Sequence, residues 1–499
     1  MSGSTTRRHV KKVKPHAHVA VNVSSRLLVP FPAYSQPVSP LTIPHETKLL
    51  PANQSLKSYN IPVTMSVKSI GLLASACLFM QGAIAIVTPR LGNLRRADST
   101  QAIPPSEDPW YTAPDGYESA SPGAILRNRT APNSLIEAAG SNCSTAYQLL
   151  YRTTASQGNA TFAVNTVLVP QDPTNALLSY QIPYDSAYIN SSPSYTLSQQ
   201  VYSDIKIALG KGYFVTVPDY EGPLASFTAG HMSGYATLDG VRATLNGADL
   251  YGLPDDTLYA TWGYSGGALA TEWAAELQAD YASELSFAGS AMGGLTPNVT
   301  SVLETINMKI SAGLAPPAII GLLSQWPAAQ EWFYSKLTTN TVGTYTASNF
   351  LAAENYTLSE AEQSYEFQNI YKYFVDGLSD ITDPTVADVV DQDGVMGLHG
   401  VPQMPLYVYK AINDQISLIA DTDALVASYC EQGANILYQR NTVGSHGSEE
   451  INGDPAATLF LDAVLTGTYA DAYSTTGCTI QNVTVQSEGG RFTSGLSSL

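Results

Sequence analysis

The chain has 499 residues, 24 Lys and Arg against 42 Asp and Glu, a formal charge of −18, and 44% hydrophobic residues. That apolar share supports a core and excludes a mostly disordered chain. The acidic balance lacks the basic face that nucleic acid requires, and 499 residues allow two or three ordinary domains or one large one with an insertion.

The charge is unevenly spread. Residues 1–64 carry Arg7, Arg8, Lys11, Lys12, Lys14, Arg26, Lys48 and Lys57 against Glu46 alone, and 65–96 add Lys68, Arg90, Arg95 and Arg96 with no acid. The rest, 97–499, keeps 12 basic and 41 acidic residues, a net of −29. Residues 1–64 are Pro-, Ser- and Val-rich without periodicity, and read as a disordered extension. Met65, a basic Lys68, the apolar run 70–80 and the small-residue ending Ala83-Ile84-Ala85 form a secretion signal over 65–85. That run is too short for a membrane span of about 20 residues. Translation is therefore expected to start at Met65, with 1–64 a gene-start artefact; a real disordered arm with 70–80 as a buried helix is the alternative. Residues 86–96 end in Arg95-Arg96, a dibasic processing site that would leave Ala97 first in a mature, secreted chain.

Secretion carries further expectations. Asn128, Asn142, Asn159, Asn190, Asn298, Asn355 and Asn482 each head an N-x-S/T sequon, a set of glycosylation candidates. With Cys77 in the signal, Cys143, Cys430 and Cys478 remain, and an oxidising compartment favours one bridge and one odd thiol. A Cys430–Cys478 bridge would brace the segment holding His446, leaving Cys143 free.

In chain order, 212–217 reads as a strand followed by Pro218-Asp219-Tyr220-Glu221-Gly222, whose backbone is a candidate oxyanion donor. Residues 258–264 are apolar or aromatic and strand-like, Gly263-Tyr264-Ser265-Gly266-Gly267 follows, and 268–282 has helical spacing. Strand, G-x-S-x-G and helix together mark a nucleophile elbow. The strained turn exposes the Ser265 hydroxyl, with the Gly266 amide aimed at the same space. Residues 300–395 exceed what the core needs and read as a helical cap or lid. Within them Pro316-Pro317 breaks an apolar stretch, and Thr357-Leu-Ser-Glu360 is a capping box opening a helix through 376. Residues 405–412 form a third strand, followed by Asn413-Asp414-Gln415, and 434–440 a fourth. A loop after it carries His446.

The order Ser265, Asp414, His446 is that of an α/β-hydrolase triad. His231 and His399 break this order and read as structural histidines. Asp391, Asp393, Asp421 and Asp423 compete less well for the acid, being in the cap or within the helix after Asp414.

Several motifs in order carry a resemblance: Gly212-Tyr-Phe-Val-Thr-Val-Pro-Asp219-Tyr-Glu221-Gly222, Leu238-Asp239-Gly240-Val241-Arg242-Ala243, the Ser265 elbow with Glu272-Trp273-Ala274, Ile412-Asn-Asp414-Gln-Ile416, and Cys430-Glu-Gln-Gly-Ala-Asn-Ile436. Across roughly 110–490 the chain resembles the fungal secretory lipase family, the Candida antarctica lipase A-like α/β-hydrolases. The resemblance implies an α/β-hydrolase core (97–299 and 396–499) with an inserted helical cap (300–395), no cofactor and no metal. It implies a triad of Ser265, Asp414 and His446, an oxyanion hole at Asp219 and Gly266, and the Cys430–Cys478 pair. The expected activity is ester hydrolysis, most concretely on triacylglycerols at a neutral lipid–water interface. The alternatives are a short-chain or aryl esterase, an acyltransferase, or a non-catalytic acyl- or sterol-binding protein.

Overall fold

The computed structural model describes residues 101–486; the expected extension, signal segment and processing site (1–96) lie outside them. The chain lays down strands β1 (Ile125–Thr130), β2 (Cys143–Thr154), β3 (Ala160–Pro170), β4 (Ala176–Gln181), β5 (Phe214–Pro218), β6 (Leu258–Tyr264), β7 (Gly289–Gly293), β8 (Leu406–Ala411), β9 (Ile436–Asn441) and β10 (Cys478–Val483). They join one ten-stranded sheet in the order β1-β2-β3-β5-β4-β6-β7-β8-β9-β10. From β1 through β3 to β5 neighbours are antiparallel, and from β5 to β10 every pair is parallel. Every residue of β4, β5, β7 and β8 is buried, as expected of parallel strands covered on both faces. The outer strand β10 is instead mostly exposed.

Helices α1 (Gly230–Asn246) and α2 (Gly266–Tyr281) follow β5 and β6. Helix α2 is buried from Gly266 to Gln278 on all sides, so even Glu272 and Glu276 are core residues. The Tyr429 hydroxyl donates to Glu272 and, at 3.0 Å, to Glu276. Glu276 also accepts from the Gly397 amide at 2.7 Å and faces the His399 ring at 3.2 Å. Glu276 thus ties α2 to the chain before β8, and both carboxyls tie it through Tyr429 to the helix after β8.

Between β7 and β8, over the span expected as the insertion, the chain forms α3 (Val299–Ile306), α4 (Ala315–Ser324), α5 (Pro327–Tyr334), α6 (Leu358–Tyr365) and α7 (Pro384–Asp393). Pro316-Pro317 does not break a helix; it stands in the first turn of α4, where a missing N–H costs nothing. The Thr357–Glu360 capping box is present, but α6 stops at Tyr365 instead of running to 376. Glu366 leaves the helical region at ψ 136°, and Phe367 follows at φ 57°, so the chain turns away there. After β8 come α8 (Ile419–Glu431) and, after β9, α9 (His446–Leu465).

Cys430, in the last turn of α8, is bonded to Cys478 at the start of β10, with Cα atoms 5.9 Å apart. Cys143 is a buried free thiol, its pKa pushed up by burial to about 11. Of the sequon asparagines, Asn128, Asn142, Asn159, Asn355 and Asn482 are exposed. Asn190 and Asn298 are half-buried with their side chains engaged. Asn190 bonds Ser106 and Tyr188, and Asn298 caps α3.

Candidate active site

The elbow is built by close approach. Ser265 sits between β6 and α2 at φ 52°, ψ −120°, an outlier for a residue with a Cβ and the kind of strain found at functional turns. A Cβ on Gly263 would lie 2.2 Å from the Gly267 carbonyl oxygen, and one on Gly267 would lie 2.0 Å from that of Gln181 at the end of β4. Glycine at both positions lets strand and helix close up.

The three residues read in chain order converge. Ser265 Oγ is 2.8 Å from His446 Nε2, and His446 Nδ1 is 2.7 Å from Asp414 Oδ2. His446 does not lie in a loop. It is the first residue of α9, behind a Ser445–Ser448 capping box, and β9 is not the last strand. Its backbone is held on both sides: the Tyr264 hydroxyl donates to its carbonyl at 2.5 Å, and its amide donates to Gln415 Oε1 at 3.0 Å. The residue between Gly263 and Ser265 thus positions the base.

Asp414 Oδ1 accepts from the amides of Ile416 (2.9 Å) and Ser417 (3.0 Å). Oδ2 also accepts from Lys410 Nζ at 2.8 Å, and that ammonium donates to the Leu295 carbonyl at 2.7 Å. Burial alone would raise the Asp414 pKa, but His446 and Lys410 overcome it and hold the carboxyl well below the usual range. Lys410 pays with a lowered pKa of its own, from burial that Asp414 only partly offsets. Sequence reading passed over Lys410 because it stands inside a buried strand.

The expected oxyanion donor at Asp219 is corrected. Its amide donates to the Val164 carbonyl at 2.8 Å, and its carboxylate accepts from the Ser194 amide (2.8 Å) and hydroxyl (2.5 Å). It lines a different cavity from Ser265. The residue against Gly266 is Asp185: a Cβ on Gly266 would fall 1.8 Å from Asp185 Oδ1. Asp185 is buried, stands at φ 45°, and has no partner for Oδ1 among the described residues. Burial, then Glu362 and Glu450, push its pKa up to about 7. The reason is topological. β4 neighbours the nucleophile strand β6, while β5 lies outside β4, so the loop after β4 reaches Ser265.

The structural histidines have partners elsewhere. His231 Nδ1 is 3.1 Å from Asp393, which ends α7 and also accepts from Trp326 at 3.0 Å. Asp421 and Asp423 stand on α8; Asp421 accepts from Ser301 and Asp423 from Tyr438. Beside Ser265 opens an apolar cavity lined by Gly266, Leu303, Ile319, Leu323 and Phe333, mostly from the helices between β7 and β8.

The secretory lipase description matches residues 190–471. The chain is 45% identical over 405 residues to a trichothecene C-3 esterase of Fusarium sporotrichioides, covering 78% of this chain and 90% of that protein. The chain belongs to the secretory lipase family. A lipase A of Arthroderma benhamiae is 36% identical over 417 residues, covering 79% of this chain and 87% of that one. Candida antarctica lipase A in its closed state superposes with a TM-score of 0.68 at 28% identity, over 76% of this chain and 90% of that one. The fold is thus an α/β-hydrolase, and the relatives place the chain among carboxylic ester hydrolases. No helix among the described residues is long and apolar enough to cross a membrane.

Proposed function

We propose that the chain is a secreted, serine-dependent hydrolase of carboxylic esters with apolar acyl groups, a triacylglycerol lipase in its most concrete form. The observation that carries this reading is the unbroken line Asp414–His446–Ser265, at 2.7 and 2.8 Å, opening on an apolar cavity. Ser265 Oγ attacks the ester carbonyl as His446 Nε2 takes its proton, and Asp414 holds the imidazole tautomer and stabilises its cation. The Gly266 amide opens α2, where the first N–H groups have no partner within the helix, and it faces the developing oxyanion. Asp185, protonated below its raised pKa of about 7, supplies the second donor from its carboxyl. The alcohol leaves with the proton from His446, and water releases the acid from the acyl-enzyme. The helices from α3 to α7 act as the cap that encloses the acyl chain.

A second reading is a short-chain esterase, favoured by the 45% identity to a trichothecene C-3 esterase. Hydrolysis of p-nitrophenyl esters from acetate to palmitate separates the two. The lipase reading expects kcat/KM to rise from acetate toward longer chains; a steep preference for acetate leaves the esterase. Ser265→Ala hydrolysing as fast as wild type would defeat both.

A further inference from the structure

Ser265 lies between two cavities that share Asp185, Leu314 and Ile416. The larger one takes in Gly266 but not His446, and among the described residues none that is charged lines it apart from Asp185. The smaller one takes in His446, Gly447, Gln415 and Glu362 but not Gly266. Acyl-transfer chemistry assigns them. The ester carbonyl oxygen must turn to the donors at Gly266, and the leaving oxygen must come within reach of His446 Nε2. The acyl chain then runs into the larger cavity and the alcohol sits in the smaller.

Resting on the ester-hydrolase reading, we propose that the smaller cavity is the leaving-alcohol subsite and that Glu362 is its specificity-determining residue, favouring neutral, hydroxyl-bearing alcohols over anionic ones. Glu362 stands on α6, whose first turn is fixed by the Thr357–Glu360 capping box. The backbone beneath it is closely packed, since a Cβ on Gly313 would lie 2.3 Å from the Glu362 Cα. Its carboxylate is therefore presented from a rigid support. Glu362 and Asp185 line the same cavity, and after burial the Glu362 charge is the next cause that raises the Asp185 pKa. Among the described residues no Lys or Arg lines this cavity, and the His446 cation that forms during the step is paired with Asp414, so an anionic alcohol meets the like charge of Glu362. Alcohol hydroxyls instead find hydrogen-bond partners in Glu362 and Gln415. In the step concerned, the Ser265 Oγ–carbon bond forms and the carbon–alkoxide bond breaks. The alkoxide takes from His446 the proton that Ser265 gave up.

The test compares two butyrate esters with the same acyl half: 1-butyrylglycerol, neutral with two free hydroxyls, and the butyryl ester of glycolate, which carries a carboxylate. Wild type is expected to favour the glyceryl ester in kcat/KM by at least about tenfold. Glu362→Gln should narrow that ratio by about tenfold and Glu362→Lys should narrow it further or invert it. Because the result is a ratio within one preparation, a general loss of activity or stability cancels. Equal rates on the two esters in wild type, or an unchanged ratio in both variants, overturns the subsite and leaves the hydrolase reading intact. Failure of wild type on both esters and on p-nitrophenyl butyrate, or equal rates from Ser265→Ala, overturns the hydrolase reading and this proposal with it.

Discussion

Two carboxyl groups flank Ser265, and burial acts on both in the same direction with opposite outcomes. On the acid–base side, Asp414 has Lys410 and His446 within hydrogen-bond distance and two amides on its other oxygen, and it is held ionised. On the oxyanion side, among the described residues Asp185 has no cation partner and one oxygen without a hydrogen bond, so burial, then Glu362 and Glu450, raise its pKa to about 7. Burial does not decide whether an aspartate is an anion or an acid; the partners do. One side of the nucleophile thus stabilises a positive imidazolium, and the other can donate a hydrogen bond to a negative oxygen.

Replacing the charge on the acid–base side should have the largest effect. Asp414→Asn is expected to lower kcat by about 10⁴-fold, with Lys410 left as an uncompensated buried cation. A loss below tenfold would mean that Asp414 does not orient the base. On the other side, Asp185→Leu should lower kcat by about 10²–10³-fold with little change in KM, the signature of a lost oxyanion donor. Asp185→Asn sharpens the contrast through pH. The raised pKa makes Asp185 a donor below about 7, so wild-type kcat should fall as pH rises through that value, and the asparagine variant should lose that alkaline limb. An identical pH profile in the two proteins would place Asp185 outside the reaction.

Two smaller effects concern stability. Cys478→Ser opens a loop of 48 residues that contains His446, and should lower unfolding stability by about 3–5 kcal/mol, read from denaturant curves. If kcat of the folded fraction falls as well, the bridge also positions the base. Behind the site, burial raises Glu450 and Glu449 to about 7, and Asp204 to about 6. These groups hold protons in the folded state that the unfolded chain has released between about pH 4 and 7. Stability should therefore fall as pH rises through this window, giving a higher Tm at pH 5 than at pH 8. Asp414 works the other way, and its contribution is lost only when pH drops below the usual carboxylate range toward its own low pKa.

The same contrast separates what could be read from the sequence. The acid–base side was legible because its signals are local: a strand with its elbow at 258–267, a strand ending at Asp414, and a histidine third in chain order. The Asp185 side was not, since the loop that reaches Ser265 depends on β5 being placed outside β4, which the chain order of these strands does not state. The start of α9 at His446 has no plain signal, because its capping box uses Ser448 where Glu or Gln is usual, and Pro455 inside the helix reads as a break. Lys410 was hidden because all six residues of β8 are buried, so no alternation singles it out. The early end of α6 lies at Glu366, which turns to ψ 136°, with Phe367 after it at φ 57°, and neither residue type gives warning of it.

Covalent catalysis by Ser265 can be trapped with a p-nitrophenyl alkyl phosphonate. Its phosphorus mimics the tetrahedral intermediate and stays on the attacking atom. Mass spectrometry of the digested, inactivated protein should find one stoichiometric adduct, on Ser265, appearing in step with loss of ester hydrolysis. Label on another residue, or full inactivation with Ser265 unmodified, would contradict the account.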